Sequence, residues 1–246
     1  MQHRTLGKGS DRSALASDVM SDDDGPAMLV LHGLRLSGFA TADHIANRWA
    51  LDLPTVELTL ARYRDDGLVV HREGRLTGWM LSAEGRSTGE RMLASELDRA
   101  GARGIAEAGY AAFQPLNAEF LALCTDWQLR VRDGEQVLND HQDPEHDSAV
   151  IARLEDLHPR VSMILGGLSA PVPRFAQYDA RLTFALGRVR ANDVDWLTKP
   201  VIDSYHTVWF ELHEDLLATL GRDRATETQA DHCEPNRNVS DGGGRG

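Results

Sequence analysis

Cysteines and long apolar runs are scarce in this 246-residue chain, and each scarcity excludes a class of protein. The only cysteines are Cys124, in an apolar helical pattern, and Cys233, in a polar stretch, so a disulfide framework is excluded. No segment approaches the roughly 18 consecutive apolar residues that a membrane span requires, and residues 1–10 lack a secretory signal. We therefore expect a cytoplasmic protein in a reducing compartment, without a membrane partner.

Signatures of common enzymes are also missing. There is no glycine-rich phosphate loop, no nucleophile elbow and no pair of cysteines at zinc-binding spacing. Ser204 lies between Asp203 and His206, but neighbours on one helix point in different directions and cannot converge as a triad. We therefore predict a protein that is not an enzyme and that needs no cofactor.

Charge is present in quantity but unevenly distributed. The net charge is −12, and 24 of the 26 basic residues are arginine. Residues 26–90 hold seven arginines against eight acidic residues, whereas residues 91–222 hold thirteen basic against twenty acidic residues. A polyanion would be repelled by the second segment much more strongly than by the first.

Composition divides the chain into four parts. Residues 1–25 and 223–246 are polar and rich in Ser, Gly and Asp, so we predict disordered tails. Residues 26–90 contain short elements separated by many turn residues, and residues 91–222 contain longer helical periods. We refer to these two segments as the N-terminal module and the helical body.

The N-terminal module is predicted to contain three helices and a hairpin. The apolar segment at residues 28–36 indicates a first helix, Thr41 is placed to cap a second, and Pro54 is placed to open a third. Residues 68–71 and 76–81 are two strand-like runs around a turn that contains a glycine. The predicted order is helix, helix, helix, strand, turn, strand.

The helical body shows only helical periods. Ser82 is placed to cap the helix that leads into it, and apolar residues at helical spacing predict another helix over residues 116–131. Asp143, followed by a proline, marks the start of a long helix. The last helix is predicted over residues 198–220, with Gly221 as its stop.

Part of the module, residues 41–86, resembles the winged helix-turn-helix of bacterial transcriptional regulators of the MarR group. The resemblance is carried by Ala46 in the second helix, the Leu-Pro turn at residues 53–54, the glycine exit at residues 66–69 and the closing sequence at residues 81–86. It implies a mainly α protein, in which a winged helix-turn-helix with a two-stranded wing is followed by an all-helical bundle domain.

The resemblance also implies a DNA-binding transcriptional regulator. The third helix would enter the major groove of double-stranded DNA, and the hairpin turn would contact the backbone or the minor groove as a wing. Such proteins act as homodimers, and because residues 1–25 look unstructured we expect the dimer interface in the helical body. The residues expected to contact DNA are Arg48, Thr55, Leu58, Thr59, Arg62, Arg72 and Arg75.

A second interpretation stays open, because the third helix offers few basic or amide groups. Arg62 is the one strong donor on its outward face, whereas phosphate contacts usually supply most of the affinity for DNA. The nearly neutral module and the acidic body also fit a regulatory or scaffolding protein that docks a protein partner through the winged helix or the body.

Two clusters in the helical body are candidates for small ligands. His206, Trp209 and His213 share one side of the last helix and could line a pocket for an anionic or aromatic effector, although core packing is the alternative. The loop at residues 140–147 is dense in histidine and carboxylate groups. Helix capping by Asp143 and the helix dipole explain that density, so we predict no metal site.

Overall fold

The computed structural model describes residues 24–132 and 134–222. The predicted tails lie outside the described residues except for Asp24 and Gly25, which begin the first helix. The chain is mainly helical and includes two short antiparallel hairpins. In chain order the elements are α1 (Asp24–Ser37), α2 (Ala42–Trp49), α3 (Leu53–Asp65), β1 (Val69–Arg72), β2 (Gly78–Leu81), α4 (Ala83–Arg99), α5 (Arg103–Gln128), β3 (Leu129–Arg132), β4 (Glu135–Leu138), α6 (Pro144–Ser169), a 3-10 turn (Pro173–Phe175), α7 (Ala176–Arg190), α8 (Asp195–Thr198) and α9 (Tyr205–Leu220).

Three helix starts follow directly from side chains in the sequence. The side-chain oxygens of Thr41, Ser82 and Asp143 each accept a hydrogen bond from the backbone N–H three residues further on, at 3.2, 3.0 and 3.2 Å. Each oxygen satisfies an amide that has no partner inside the helix. The predicted starts of α2, α4 and α6 are therefore confirmed.

The predicted hairpin of the N-terminal module is present. β1 and β2 pair antiparallel, beginning with Val69 opposite Leu81. Ala40 forms a bridge with Trp79 through two backbone hydrogen bonds of 3.0 and 2.8 Å, which adds a third short extended segment beside β2. A side chain at Gly78 would lie 2.8 Å from the carbonyl oxygen of Ala40, so glycine permits this close approach.

The start of α4 lies directly against the residues that lead into β1. The Ser82 hydroxyl donates to the carbonyl oxygens of Gly67 and Leu68, at 2.7 and 3.0 Å. A Cβ atom added at Gly85 would overlap the carbonyl oxygen of Leu68. Because the Leu68 oxygen belongs to the backbone, it cannot move aside as a flexible side chain could. The absence of a side chain at residue 85 therefore sets the spacing between the hairpin and α4.

Two hydrophobic clusters form the core. The first joins α1, α2, α3 and β1, and it also takes Met92 and Leu93 from α4 and Ala218 from α9. The second is built from α5, α6, α7 and α9, and it takes Leu97 from α4. The predicted boundary at residue 90 therefore falls inside α4, a helix that contributes side chains to both clusters.

The prediction that the body contains helices only is wrong. α5 ends at Gln128, and β3 and β4 pair antiparallel, with Leu129 opposite Leu138. Val131, which we placed on a helix, lies in β3 and is exposed. The alternating residues of the two strands and Gly134, with a φ of 84° in the connecting turn, are the local features that favour a hairpin here.

The predicted last helix begins later than expected, at Tyr205 instead of residue 198. α8 ends at Thr198, a turn follows, and α9 begins at Tyr205, where the Ser204 hydroxyl accepts from a backbone N–H. Pro200 lies in the intervening turn. It prevents the helix from continuing there, because a proline disfavours helical backbone at the residue before it and removes an amide donor. The predicted stop at Gly221 is confirmed by its left-handed conformation, φ 65°.

In the described part of the chain no helix is long and apolar enough to cross a membrane.

Candidate nucleic-acid interface

α3 turns one face to the core and another outward. Its first turn is fixed by Asp52, whose carboxylate accepts from the backbone N–H and the hydroxyl of Thr55, at 3.2 and 3.1 Å. Val56, Leu60 and Tyr63 are buried, as the sequence pattern predicts. The orientation of the helix about its own axis is therefore set by these three side chains.

The outward face of α3 keeps three of the four residues predicted for it. Thr55, Leu58 and Arg62 are exposed, and they line one surface cavity of about 430 Å³ next to Ala27 of α1. Thr59 also lines this cavity, but it is only 9 % exposed, so the prediction that it points outward is wrong. Its hydroxyl donates to the carbonyl oxygen of Thr55 at 2.8 Å, a bond within the helix.

The hairpin presents two of the predicted arginines. Arg72 ends β1 and Arg75 lies in the turn, and both are exposed. Gly74 between them has a φ of 146°, a backbone conformation that glycine adopts without steric cost. Leu76, next to Arg75, is 74 % exposed, so the hairpin tip carries both charge and an apolar side chain.

Ion pairing divides the arginines of the described chain into two groups. Arg62, Arg72, Arg75 and Arg86 of the N-terminal module are exposed and take part in none of the ion pairs formed among the described residues, and Arg62 lies 5.2 Å from the ring centroid of Tyr63. In the body, the arginines without such a pair are Arg99, Arg132 and Arg222. The arginines that pair with a carboxylate are Arg35, Arg48, Arg64, Arg91, Arg103, Arg130, Arg153, Arg160, Arg174, Arg181, Arg188 and Arg190.

Arg48 does not belong to an exposed rim, which corrects the sequence-based expectation. Its side chain is 3 % exposed, and its guanidinium lies 2.6 Å from the carboxylate of Glu211 on α9. Arg181 reaches the same carboxylate at 2.7 Å. Burial opposes the charged form of Arg48, but Glu211 outweighs it and raises the pKa of the guanidinium, so this arginine fastens the module to the body.

A second polar contact between module and body centres on Asp215. One carboxylate oxygen lies 3.0 Å from Nε2 of His32 on α1 and is also paired with Arg174. The other oxygen accepts from the hydroxyl of Tyr178 at 2.8 Å, and Arg174 donates to Thr219 at 2.6 Å. The side chains of His32 and Asp215 are both fully buried.

The charges around Asp215 are balanced within the protein. Burial would raise the pKa of Asp215, but Arg174, His32 and Tyr178 together hold that pKa far below its usual value. Burial lowers the pKa of His32, and Asp215 opposes this shift. Arg174 also pairs with Glu96 of α4 at 3.0 Å, which gives this guanidinium two carboxylates from two different helices.

The predicted effector residues do not surround one pocket. Trp209 stacks on Phe113, with ring centroids 4.9 Å apart, and its indole N–H donates to Asn117 at 3.0 Å. His213 is 6 % exposed and lies beside the ring of Phe113. Only His206 reaches a surface cleft, of about 600 Å³, so the prediction of an effector pocket formed by all three is wrong because two of them pack in the core.

Most histidines and acids of the loop at residues 140–147 are engaged with neighbouring side chains or with the backbone. His141 lies 3.0 Å from Asp147, which also accepts from the Asn139 amide at 2.7 Å. His146 lies 2.7 Å from a backbone carbonyl oxygen of α5, and Asp143 caps α6. Among the described residues no group of three or more His, Cys, Asp or Glu is arranged to hold a metal ion.

The buried polar residues at the contact between module and body were not anticipated from the sequence. Asp215 interrupts the apolar stripe of α9 between Leu212 and Leu216, and His32 interrupts the apolar run of α1. A charged or titratable residue inside an apolar pattern is a signal for a buried partner. That signal does not identify the partner, since Arg174 is 41 residues from Asp215 in the chain.

No protein-family model, no curated protein and no solved structure matches this chain.

Proposed function

We propose that the chain is a DNA-binding transcriptional regulator and that its N-terminal module is a winged helix-turn-helix. The observation that carries this proposal is the group of exposed arginines, Arg62, Arg72, Arg75 and Arg86, which make no ion pair among the described residues. An arginine without an internal carboxylate is available for phosphate, whereas most arginines of the body are already neutralised.

The order of elements supports the winged-helix interpretation. The module runs α1, a bridged segment at Ala40, α2, α3, β1 and β2, with the three extended segments paired side by side. This is the order of a winged helix, in which the third helix enters the major groove and the hairpin lies over the backbone.

Each exposed residue has a distinct role in this proposal. Arg62 reads base edges, because a guanidinium forms paired hydrogen bonds with guanine. Thr55 lies on the same face of α3, and Leu58 is placed to contact a thymine methyl group. Arg72 and Arg75 hold phosphates or enter the minor groove, and they set position on the duplex without reading its sequence.

A homodimer places two modules on one operator with a two-fold symmetric sequence. The helical body supports this part of the proposal because it leaves large apolar side chains exposed, among them Met163 at 79 % and Phe184 at 59 %. Such side chains are suited to a subunit interface. The homodimer is tested by measuring the mass of the purified full chain with light scattering. Twice the chain mass supports the dimer, and a monomer at micromolar concentration contradicts the dimer.

The DNA-binding proposal is tested by fluorescence anisotropy of the full chain with labelled duplexes from upstream of its own gene, against unrelated duplexes. Arg62→Ala is expected to lower discrimination between the two by about 1–3 kcal/mol, as for loss of a bidentate base contact. Arg75→Ala is expected to weaken both duplexes equally. Arg160→Ala, on α6 and paired with Glu119, is the matched control and leaves both affinities unchanged. Absence of binding to any duplex at low salt contradicts the proposal.

A protein-docking role is the second candidate, and it is favoured by two exposed leucines. Leu58 on α3 and Leu76 on the hairpin are each 74 % exposed. In a protein interface such side chains bury apolar area, so Leu58→Asp and Leu76→Asp would abolish capture of a partner. Wild-type protein that recovers a stoichiometric partner from a nuclease-treated lysate, and loses it with both substitutions, favours docking over DNA binding.

A further inference from the structure

A cavity of about 550 Å³ lies where the N-terminal module meets the helical body. Its walls come from the start of α1, the end of α2, α4 and the segment that leads into α7. Its volume is in the range of pockets that hold small molecules. The lining residues used below are Met28, Leu29, Trp49, Arg48, Arg174 and Gln177.

The charged groups at this cavity are already neutralised. Arg48 is paired with Glu211, and Arg174 is paired with Glu96 and Asp215. A charged ligand would have to displace one of these carboxylates or add an unbalanced charge in a partly buried site. The cavity therefore favours an uncharged ligand.

Gln177 has hydrogen-bonding groups that the protein does not use. Both its amide nitrogen and its amide oxygen are buried, and neither has a hydrogen-bond partner among the described residues. Buried polar groups without partners are rare in folded proteins and call for an explanation. A side-chain amide offers a donor and an acceptor side by side, which matches a ligand with the complementary pair.

We propose that this cavity binds an uncharged small molecule that carries a hydrogen-bond donor next to an acceptor, as a lactam or a carboxamide does. Because the Gln177 amide is closed off from solvent in this structure, its side chain rotates to reach the ligand and forms the paired hydrogen bonds there, while Met28, Leu29 and Trp49 cover the apolar part. Because these residues come from both the module and the body, the ligand contacts both. The inference is independent of DNA binding, and its tests involve no DNA.

The first test uses two ring systems of nearly equal size. Isoquinolin-1(2H)-one carries the adjacent N–H and C=O, and isoquinoline lacks this pair. Titration of the full chain, followed by tryptophan fluorescence and thermal shift, is expected to show the lactam binding at least about tenfold more tightly, because an unmatched buried amide is penalised. Equal binding of the two compounds, tighter binding of the anion 1-naphthoate, or no lactam binding at 1 mM overturns the proposal.

The second test uses Gln177→Leu, which keeps the side-chain size and removes the amide. Affinity for the lactam is expected to fall about tenfold, while Gln136→Leu, an exposed glutamine of β4, leaves it unchanged. Without ligand, Gln177→Leu is expected to keep or raise the melting temperature, by up to roughly 4 °C, since no internal hydrogen bond is removed. A clear fall in melting temperature, or unchanged lactam affinity, overturns the proposal.

Discussion

Single residues of this chain depend on partners far away in sequence. Asp215 is the clearest case, because its carboxylate is fully buried and is compensated by His32, Arg174 and Tyr178. Ionised groups in such surroundings are costly unless every partner is in place. The stability of the fold should therefore respond to changes at Asp215 and at His32.

Asp215→Asn is expected to destabilise the protein by about 3–5 kcal/mol, because it removes one of the two carboxylates that compensate the buried Arg174 charge and leaves only Glu96. The measurement is urea denaturation followed by circular dichroism. Asp126→Asn is the matched control: Asp126 pairs with Arg153, but both side chains are about half exposed, so a loss under about 1 kcal/mol is expected. Equal losses in the two variants would contradict the assigned role of Asp215.

His32 makes stability depend on pH. Burial lowers the pKa of His32 below its ordinary value of 6.5, despite the opposing attraction of Asp215, with Arg174 and Arg48 adding to the lowering. The unfolded chain therefore binds a proton at this residue before the folded chain does. The resulting stability is fully present above pH 6.5 and is lost as the pH falls below it.

We expect the free energy of unfolding to decrease between pH 7.5 and pH 5.5, measured by urea titration at each pH. His32→Gln is expected to flatten part of this decrease, and His44→Gln, at an exposed residue of α2, leaves it unchanged. Half-buried His158 and His206 also have lowered pKa values and account for a remaining slope. Identical slopes for the wild type and His32→Gln would show that His32 does not contribute.

At the scale of elements, the close approach of α4 to β1 gives the sharpest prediction. Gly85→Ala places a methyl group against the carbonyl oxygen of Leu68, and the backbone must shift to accept it. We expect a loss of about 3 kcal/mol in the free energy of unfolding. Gly166→Ala in α6, where the added methyl group meets open space, should instead stabilise by about 0.5–1 kcal/mol. The close approach is disproved if both substitutions stabilise.

Local signals in the sequence predicted the elements better than their surroundings. The caps at Thr41, Ser82 and Asp143 were recognisable because each side chain bonds to an amide three residues away. The β3–β4 hairpin was missed because its short strands follow a long helix whose apolar period continues into Val131. Arg48 was misplaced because its partner, Glu211, lies 163 residues further along the chain.

The candidate site shows the same division between local and distant causes. The outward position of Thr55, Leu58 and Arg62 follows from the spacing of the buried residues of α3, and the exposure of Arg72 and Arg75 follows from the turn. Thr59 was assigned wrongly because its exposure depends on the packing of α3 in the module. No local rule predicts such packing between helices.

At the scale of the whole molecule, the module and the body are joined by more than a linker. α4 and α9 supply side chains to both hydrophobic clusters, and ion contacts connect Arg48 with Glu211 and His32 with Asp215. Most arginines of the body are paired internally, whereas Arg62 on α3 and Arg72 and Arg75 on the hairpin form no ion pair among the described residues. This arrangement concentrates available positive charge on one part of an acidic molecule.

The salt dependence of DNA affinity tests most directly whether the available positive charge of the module binds DNA phosphates. The plot of log affinity against log salt has a negative slope, and removal of one phosphate contact should reduce the magnitude of that slope by about 0.9. The Arg72→Gln and Arg75→Gln double variant should therefore reduce the magnitude by about 2 for each module bound. The Arg153→Gln and Arg160→Gln double variant, in which two paired arginines of α6 are changed, should keep the wild-type slope. A slope that stays the same in the hairpin variant, or that falls equally in both variants, would contradict DNA recognition by the module.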